Sequence, residues 1–381
     1  MTKKNKMLTL IVLLISSALL IAGIFFLRSE KKSAPGSDYA EYERAKIVKI
    51  LADNTAKDPA SDGAYRGEQL LIAELKTGQY KGKTMQAYNY VGPLYGAPLK
   101  EGDSVVLIIS TYGSGEVTAS VFEFSRFVPL LLVLGLFILA TVIVGKGTGA
   151  RSLVALGITI LCLFTILLPA LLRGAPTVLT TFAVSIYISV VSLTIIGGIG
   201  KKTICAMAGT VAGTGLAALF GFLSQAILRI NGLRLSDVEP LLQIRQSGES
   251  AVGLKGLLVA GVIISAIGAV MDVAMSISSS LSEIHDADPS YGFRELFRSG
   301  MNIGRDMVGT MTNTLILAFM GSSFTLMLYL YSLGLSPRQL ISSAYVSIEV
   351  ISSISCSIGL ILAIPLTAFI AAAVYGKKQE A

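Results

Sequence analysis

Stretches of about twenty or more apolar residues recur along this chain, at 7–27, 127–145, 152–172, 177–199, 203–228, 254–283, 306–331 and 340–375. A helix crossing the hydrocarbon core of a bilayer needs roughly 20 such residues. Inside that core every backbone N–H and C=O must be satisfied within a helix or a closed barrel. The pattern predicts an α-helical polytopic membrane protein with about eight transmembrane helices. Only 14% of the residues are charged, against about a quarter in soluble domains, which excludes a large multidomain soluble enzyme. The last three stretches are longer than one crossing requires, so tilting, kinking or extension beyond the bilayer is expected.

Charge gives the expected orientation. Lys3, Lys4 and Lys6 precede the first stretch, which ends in Phe25-Phe26-Leu27-Arg28 without a small-residue cleavage site. It reads as an uncleaved anchor, residues 1–27, with its N-terminus in the cytoplasm. The loops and tails then assigned to the cytoplasm hold 12 Lys and Arg, and the short external loops hold 6, as the positive-inside rule requires. Both termini are therefore expected in the cytoplasm of a multi-pass cell-membrane protein. Residues 127–381 make a bundle of about seven helices.

Residues 28–126 are the one sizeable polar stretch, expected outside the cytoplasm between the first and second helices. They carry 13 basic and 13 acidic residues, a balance that argues against nucleic acid or anionic lipid as the domain's partner. Runs rich in β-formers at Ala45–Leu51, Gln69–Leu75, Thr84–Val91, Ser104–Ser110 and Val117–Phe124 are separated by glycine-containing turns. Five short strands predict a small β-barrel or sandwich, OB-like among the options. Tyr80-Lys81-Gly82-Lys83 reads as a solvated hairpin turn or, less simply, a ligand-touching loop.

Several chemistries are excluded at once. The chain has a single histidine, His285, and its three cysteines, Cys162, Cys205 and Cys356, lie in apolar runs. No His-based metal site, zinc spacing or Ser-His-Asp triad built on several histidines fits. Walker and dinucleotide loops are absent from the sequence, so no cofactor is expected and the chain does not read as an enzyme.

The candidate chemistry lies where polar groups enter the membrane, because ionisable residues at bilayer depth are costly and mark function by default. On 254–283, Gly261, Ser265, Gly268, Asp272, Ser276, Ser279 and Glu283 recur at steps of three and four, one continuous helix stripe. Its upper half is expected to admit a close helix neighbour; its lower half is polar and begins with a carboxylate. The next helix brings Arg305, Asp306, Thr310, Thr312 and Asn313. Asp272 and Asn313 come to similar depth, so Asp272 either carries a proton or cation, or pairs with Asn313 or Arg305 to hold two helices in register. Glu349, with Ser342, Ser353 and Ser357 on a similar face, is a secondary candidate. A segment 339–351 along the outer interface would make it a snorkelling residue. Pro289–Met301 looks like an amphipathic helix on the inner leaflet.

Three strings carry a family resemblance: Gly268-Ala-Val-Met-Asp-Val-Ala-Met-Ser-Ile-Ser-Ser-Ser-Leu, Gly304-Arg-Asp-Met-Val-Gly-Thr-Met-Thr-Asn-Thr-Leu-Ile-Leu-Ala, and the Gly200-Lys-Lys turn. Together they closely resemble the YibE/F family of bacterial polytopic membrane proteins, known mainly from Gram-positive bacteria. The resemblance runs over roughly 40–375 and includes Gly78-Gln-Tyr-Lys-Gly-Lys83. It implies a partner, a shorter member of the same family, with this chain the longer, exported-domain type. The order of anchor, exported domain, Asp-bearing helix and Thr-rich helix is also similar, more loosely, to the SecD/SecF branch of the RND permeases. That resemblance implies proton coupling through Asp272 and Thr310/Thr312. Eight spans rather than six, and a linker without the Asp-Arg-x-Arg-Glu run, depart from it.

Two functions follow. One is a transporter or energy-coupled export component, with a protein or small-molecule cargo and an ion path near Asp272. The other is a non-transporting assembly or scaffold subunit whose exported domain binds a partner protein. An intramembrane aspartyl protease would need Asp272 and Asp306 together in a wet pocket. Asp306 follows Arg305 at the membrane edge and no Gly-x-Gly-Asp string is present, so that reading is set aside.

Overall fold

The computed structural model describes residues 39–111, 117–235, 238–248 and 250–376; the anchor expected at 1–27 lies outside them. The described chain groups into two compact units, 39–140 and 141–376.

The first unit begins with strands β1 (Tyr39–Asp53), β2 (Ala56–Lys57), β3 (Tyr65–Leu75), β4 (Thr84–Val91), β5 (Ser104–Thr111) and β6 (Val117–Phe124). Alternation dictates the faces: along β3 and β4 every second residue is buried, as a strand with one face on a core requires. Ile47, Leu71, Leu75, Ala87, Leu107 and Ile109 fill that core. The first half of β1 pairs with β5 and its second half with β3, both antiparallel. Register shifts at Ile47/Lys49 and Ile50/Ala52 bend β1 between its two partners. β3 pairs with β4, β4 runs parallel to β6 at Tyr88 and Ser120, and β6 pairs with β5. The five long strands thus close into a barrel with OB-fold connectivity. Tyr80–Lys83 forms the β3–β4 turn, with the Lys83 N–H on the Tyr80 carbonyl at 3.0 Å.

A buried amide network shapes the long β4–β5 connection. Gln69 donates to Asp53 (2.8 Å) and to the Leu99 carbonyl (3.2 Å), while its oxygen accepts from Asn89 (2.9 Å) and the Leu99 N–H (2.9 Å). Both N–H groups and both lone pairs of the amide are used, and Leu99 is thereby held over the core.

The helices are α1 (Phe127–Cys162), a π-helical turn at Leu163–Leu167, α2 (Leu168–Leu172), α3 (Thr177–Gly197), α4 (Lys201–Ile227), α5 (Val238–Gln246), α6 (Leu257–Ala287, after a 3₁₀ turn at Leu254–Gly256), α7 (Phe293–Ser322), α8 (Phe324–Ser332), α9 (Pro337–Ser342) and α10 (Ala344–Tyr375). Among the described residues five helices are long and apolar enough to cross a membrane, and α7 with α8, bent by 60°, would make a sixth if the pair is one span. The 46-residue stretch Phe127–Leu172 would be roughly 70 Å long if straight, over twice a bilayer core. It is not straight. Lys146 breaks it with φ 47° and ψ −132°. A methyl group on Gly149 would lie 2.3 Å from the Thr141 carbonyl oxygen, although residues eight apart in a helix are separated by about 12 Å. The chain therefore doubles back at Lys146, between the two expected spans.

Small residues close the bundle. On α4, Gly209, Gly213 and Ala217 meet Thr367, Ala363 and Gly359 of α10; methyl groups on Gly209 and Gly213 would approach those side chains to 2.0 and 2.6 Å. Gly300 and Gly304 of α7 lie equally close to Ala368 and Ile364 of α10. Without bulk at these positions the backbones approach closely, the usual basis of helix association in lipid. Two expectations are corrected here. Pro289–Met301 does not make a separate surface helix, because Phe293–Ser322 is continuous. Leu296 is fully buried and Phe293 stacks edge-on against Phe369, so α10 covers that apolar face. The segment expected along 339–351 breaks at Ser343 instead, and Glu349 belongs to the long helix α10.

Candidate functional site

Helix α6 is apolar on one side and polar on the other, and packing follows that division. Val262, Ala266, Val270, Val273, Ile277 and Leu281 are fully buried between α4 and α10. The opposite stripe stays open: Gly261, Ser265, Gly268, Asp272, Ser276 and Glu283 are exposed, and Ser279 is half-buried. Methyl groups on Gly261 or Gly268 would meet nothing within 4 Å. Among the described residues, then, no helix packs against these two glycines as closely as the upper half of the stripe led one to expect. The tight contacts went to α4, whose small residues lie at four-residue steps facing α10.

The Asp272–Asn313 and Asp272–Arg305 pairs are likewise not formed. Among the described residues Asp272 has no hydrogen-bond or ion-pair partner, and the only ion pairs lie in the barrel unit. Arg305 donates to Asn302 (3.3 Å), Thr310 donates to the Met307 carbonyl (3.2 Å), and Thr314 to the Thr310 carbonyl (2.9 Å). Arg305, Asp306, Thr310 and Asn313 are exposed on α7, because its Gly300–Gly304 face turns toward α10. Periodicity identified each stripe, and the structure keeps both open without joining them by a hydrogen bond.

The outer half of the α6 stripe has a neighbour that the sequence reading missed. Thr159, Thr181, Ser185, Ser265 and Gly268 line a cavity of about 200 Å³, with Leu163, Leu167 and Ile264 among its apolar walls. Its back is the π-helical turn. Pro169, which has no N–H, ends the regular ladder there, and such turns recur at functional sites. Three of the hydroxyls are committed as donors: Thr159 to the Ala155 carbonyl (3.0 Å), Thr181 to Thr177 (2.7 Å) and Ser185 to Phe182 (2.7 Å). Their remaining capacity is as acceptors, which suits water or a small cation. Asp272 follows Gly268 by four residues, one helical turn, about 6 Å along the axis. The signal lay in the recurrence of Thr177, Thr181, Ser185 and Ser189 along α3.

The inner end of α6 is tied down by polar contacts. Ser278 donates to the Lys202 carbonyl (2.6 Å), fixing the Gly200-Lys201-Lys202 turn, and Tyr375 donates to Ser282 (3.1 Å) beside the His285 ring. Glu349 is half-buried in a separate groove of about 300 Å³, with Phe319, Met327 and Ser353. Among the described residues no three His, Cys, Asp or Glu side chains gather as a metal site would need.

Apolar helices closed by glycine and alanine, with polar stripes left on their outer faces, define a polytopic membrane protein. More narrowly, the chain belongs to the YibE/F-like protein family, whose model matches residues 133–377. The match takes in the helical bundle and ends short of the barrel, so Gly78–Lys83 lies outside it. No curated protein and no solved structure matches the chain.

Proposed function

We propose that the protein is a transporter or energy-coupled export component of the cell membrane, with an ion path along the open face of α6. The supporting observation is continuity: a hydroxyl-lined cavity that takes in Ser265 and Gly268 leads, one turn on, to the unpaired carboxylate of Asp272, then to Ser276, Ser279 and Glu283. In this reading Asp272 carries the proton or cation, Thr310 and Asn313 supply polar contacts from α7, and no chemical reaction is catalysed. The chain crosses the membrane about eight times with both termini in the cytoplasm. The barrel, outside, meets a protein or small-molecule cargo, and a shorter family relative completes the complex.

The test is proton and Na⁺ flux in proteoliposomes, with and without that relative, comparing wild type with Asp272→Asn. Flux that vanishes in a normally folded Asp272→Asn supports the reading; undiminished flux defeats it. The open space above Gly261 and Gly268 favours a second reading, a non-transporting scaffold whose α6 seats a partner's helix while the barrel binds a protein. No flux under any condition, together with a chain unstable without its relative, would support that assignment.

A further inference from the structure

Chain direction decides which end of the barrel meets the bilayer. Strand β6 ends at Phe124 and the apolar helix α1 starts at Phe127, so only Ser125 and Arg126 intervene. Two residues reach about 7 Å. Ser125 still bonds the Ser104 carbonyl (2.9 Å), and the Arg44 guanidinium lies 4.5 Å from the Phe127 ring centre, which keeps the helix start against the barrel. From Val128 onward α1 presents exposed apolar side chains. The end where β6 finishes is therefore at the membrane surface.

Because β4 runs parallel to β6, with Tyr88 opposite Ser120, β4 finishes at the same end. Gly92 and Phe124 each lie four residues beyond that pair, about 13 Å along their strands. The turn after β4 is Gly92-Pro93-Leu94-Tyr95, closed by the Gly92 N–H on the Tyr95 carbonyl (2.8 Å). Leu94 at its tip is 96% exposed, more than any other large apolar side chain among the described residues, and Tyr95 and Tyr90 beside it are exposed as well. A groove of about 470 Å³ runs between Arg66, Tyr90, Pro93 and Tyr95.

We propose that the Gly92–Tyr95 turn is a membrane-surface anchor of the barrel, with Leu94 entering the bilayer interface and the tyrosines lying at headgroup level. The occupant is the lipid surface itself, because the turn shares its end of the barrel with the membrane helix. Tyrosine is enriched at that depth, where one end of the ring is apolar and the other wet. Charge does not drive the contact. Lys57 and Arg66 at this end are balanced by Asp58 and Asp62, and Arg66 pairs with Asp58 at 3.3 Å. Insertion is thus expected to be independent of anionic lipid.

The chain contains no tryptophan, so Leu94→Trp installs a single reporter in the full-length protein. Lys81→Trp, in the β3–β4 turn at the opposite end, is the control; both side chains are exposed and neither change disturbs packing. In proteoliposomes with brominated phospholipid, Leu94→Trp should emit to the blue and lose intensity, while Lys81→Trp stays red and unquenched. Equal, weak quenching of the two overturns the proposal. Quenching of Leu94→Trp should be the same in zwitterionic vesicles and in vesicles with added anionic lipid; quenching confined to anionic lipid overturns apolar insertion. Because tryptophan itself favours interfaces, Tyr95→Trp is also compared with and without Leu94→Asp. Quenching lost on adding aspartate supports the anchor, and quenching that persists counts against it.

Discussion

Two glycines in this bundle should respond oppositely to the same change. Alanine is favoured over glycine inside a helix by roughly 1 kcal/mol. At Gly268 a new methyl meets nothing within 4 Å, so Gly268→Ala should be stabilising by about that amount. At Gly213 the methyl would sit 2.6 Å from the Ala363 methyl, 2.7 Å from a Val270 methyl and 3.0 Å from the Gly359 carbonyl oxygen. Overpacking a closed site costs about 1–3 kcal/mol. Because a backbone atom blocks the escape, the upper end applies, for a net loss of about 2 kcal/mol after the propensity gain. The two variants should therefore differ by about 3 kcal/mol, roughly 100-fold in the folded-to-unfolded ratio. Denaturant titration of the full chain in detergent micelles measures this directly. A Gly268→Ala as destabilised as Gly213→Ala would refute the assignment of an open α6 face and a closed α4–α10 seam. If Gly268→Ala becomes destabilising only when the shorter relative is present, a partner's helix occupies the stripe.

The barrel supplies two further tests. Gln69→Leu leaves the Leu99 N–H and C=O and one Asn89 N–H without their partner, and buried orphans of this kind cost about 1–3 kcal/mol each. Hydrogen exchange at Leu99 should accelerate well before that of β5, and unchanged protection would refute the role given to this amide. The Asp53 carboxyl is held below its ordinary value by the Thr55 hydroxyl, the Thr55 N–H and Gln69. Its folded value lies under the unfolded one, so its contribution is present above about pH 4 and is lost as pH falls through the folded value. Barrel melting, followed by tyrosine near-ultraviolet dichroism, should weaken below about pH 4 in wild type. Asp53→Asn should start weaker and show less acid dependence; an acid profile identical to wild type would count against it.

What the sequence disclosed and withheld follows from what periodicity measures. The barrel was legible strand by strand, because alternation in Gln69–Leu75 and Thr84–Val91 between glycine turns leaves few alternatives. The doubling-back at 146 was legible from Gly145-Lys146-Gly147 between two apolar runs. Which faces meet was not. A period of 3.6 says that Gly261, Gly268 and Asp272 share a side, but it says nothing about what lies opposite. Gly209, Gly213 and Gly359 sit in equally bland apolar runs, yet they carry the closest contacts. The segment at 289–301 looked like a surface helix because its amphipathic pattern is the same whether lipid or Phe369 covers it. The cavity at Thr159 and Ser185 was hidden for a related reason: serine and threonine in a membrane helix commonly bond only their own backbone.

The two-residue link between β6 and α1 has a mechanical consequence. Residues 39–140 form one compact unit, so the first turns of α1 belong with the barrel. A barrel on a long tether could be pulled without disturbing its anchor. Here a sideways tug by anything gripping the barrel would rock the first four turns of α1 with it, as a handle follows a spoon.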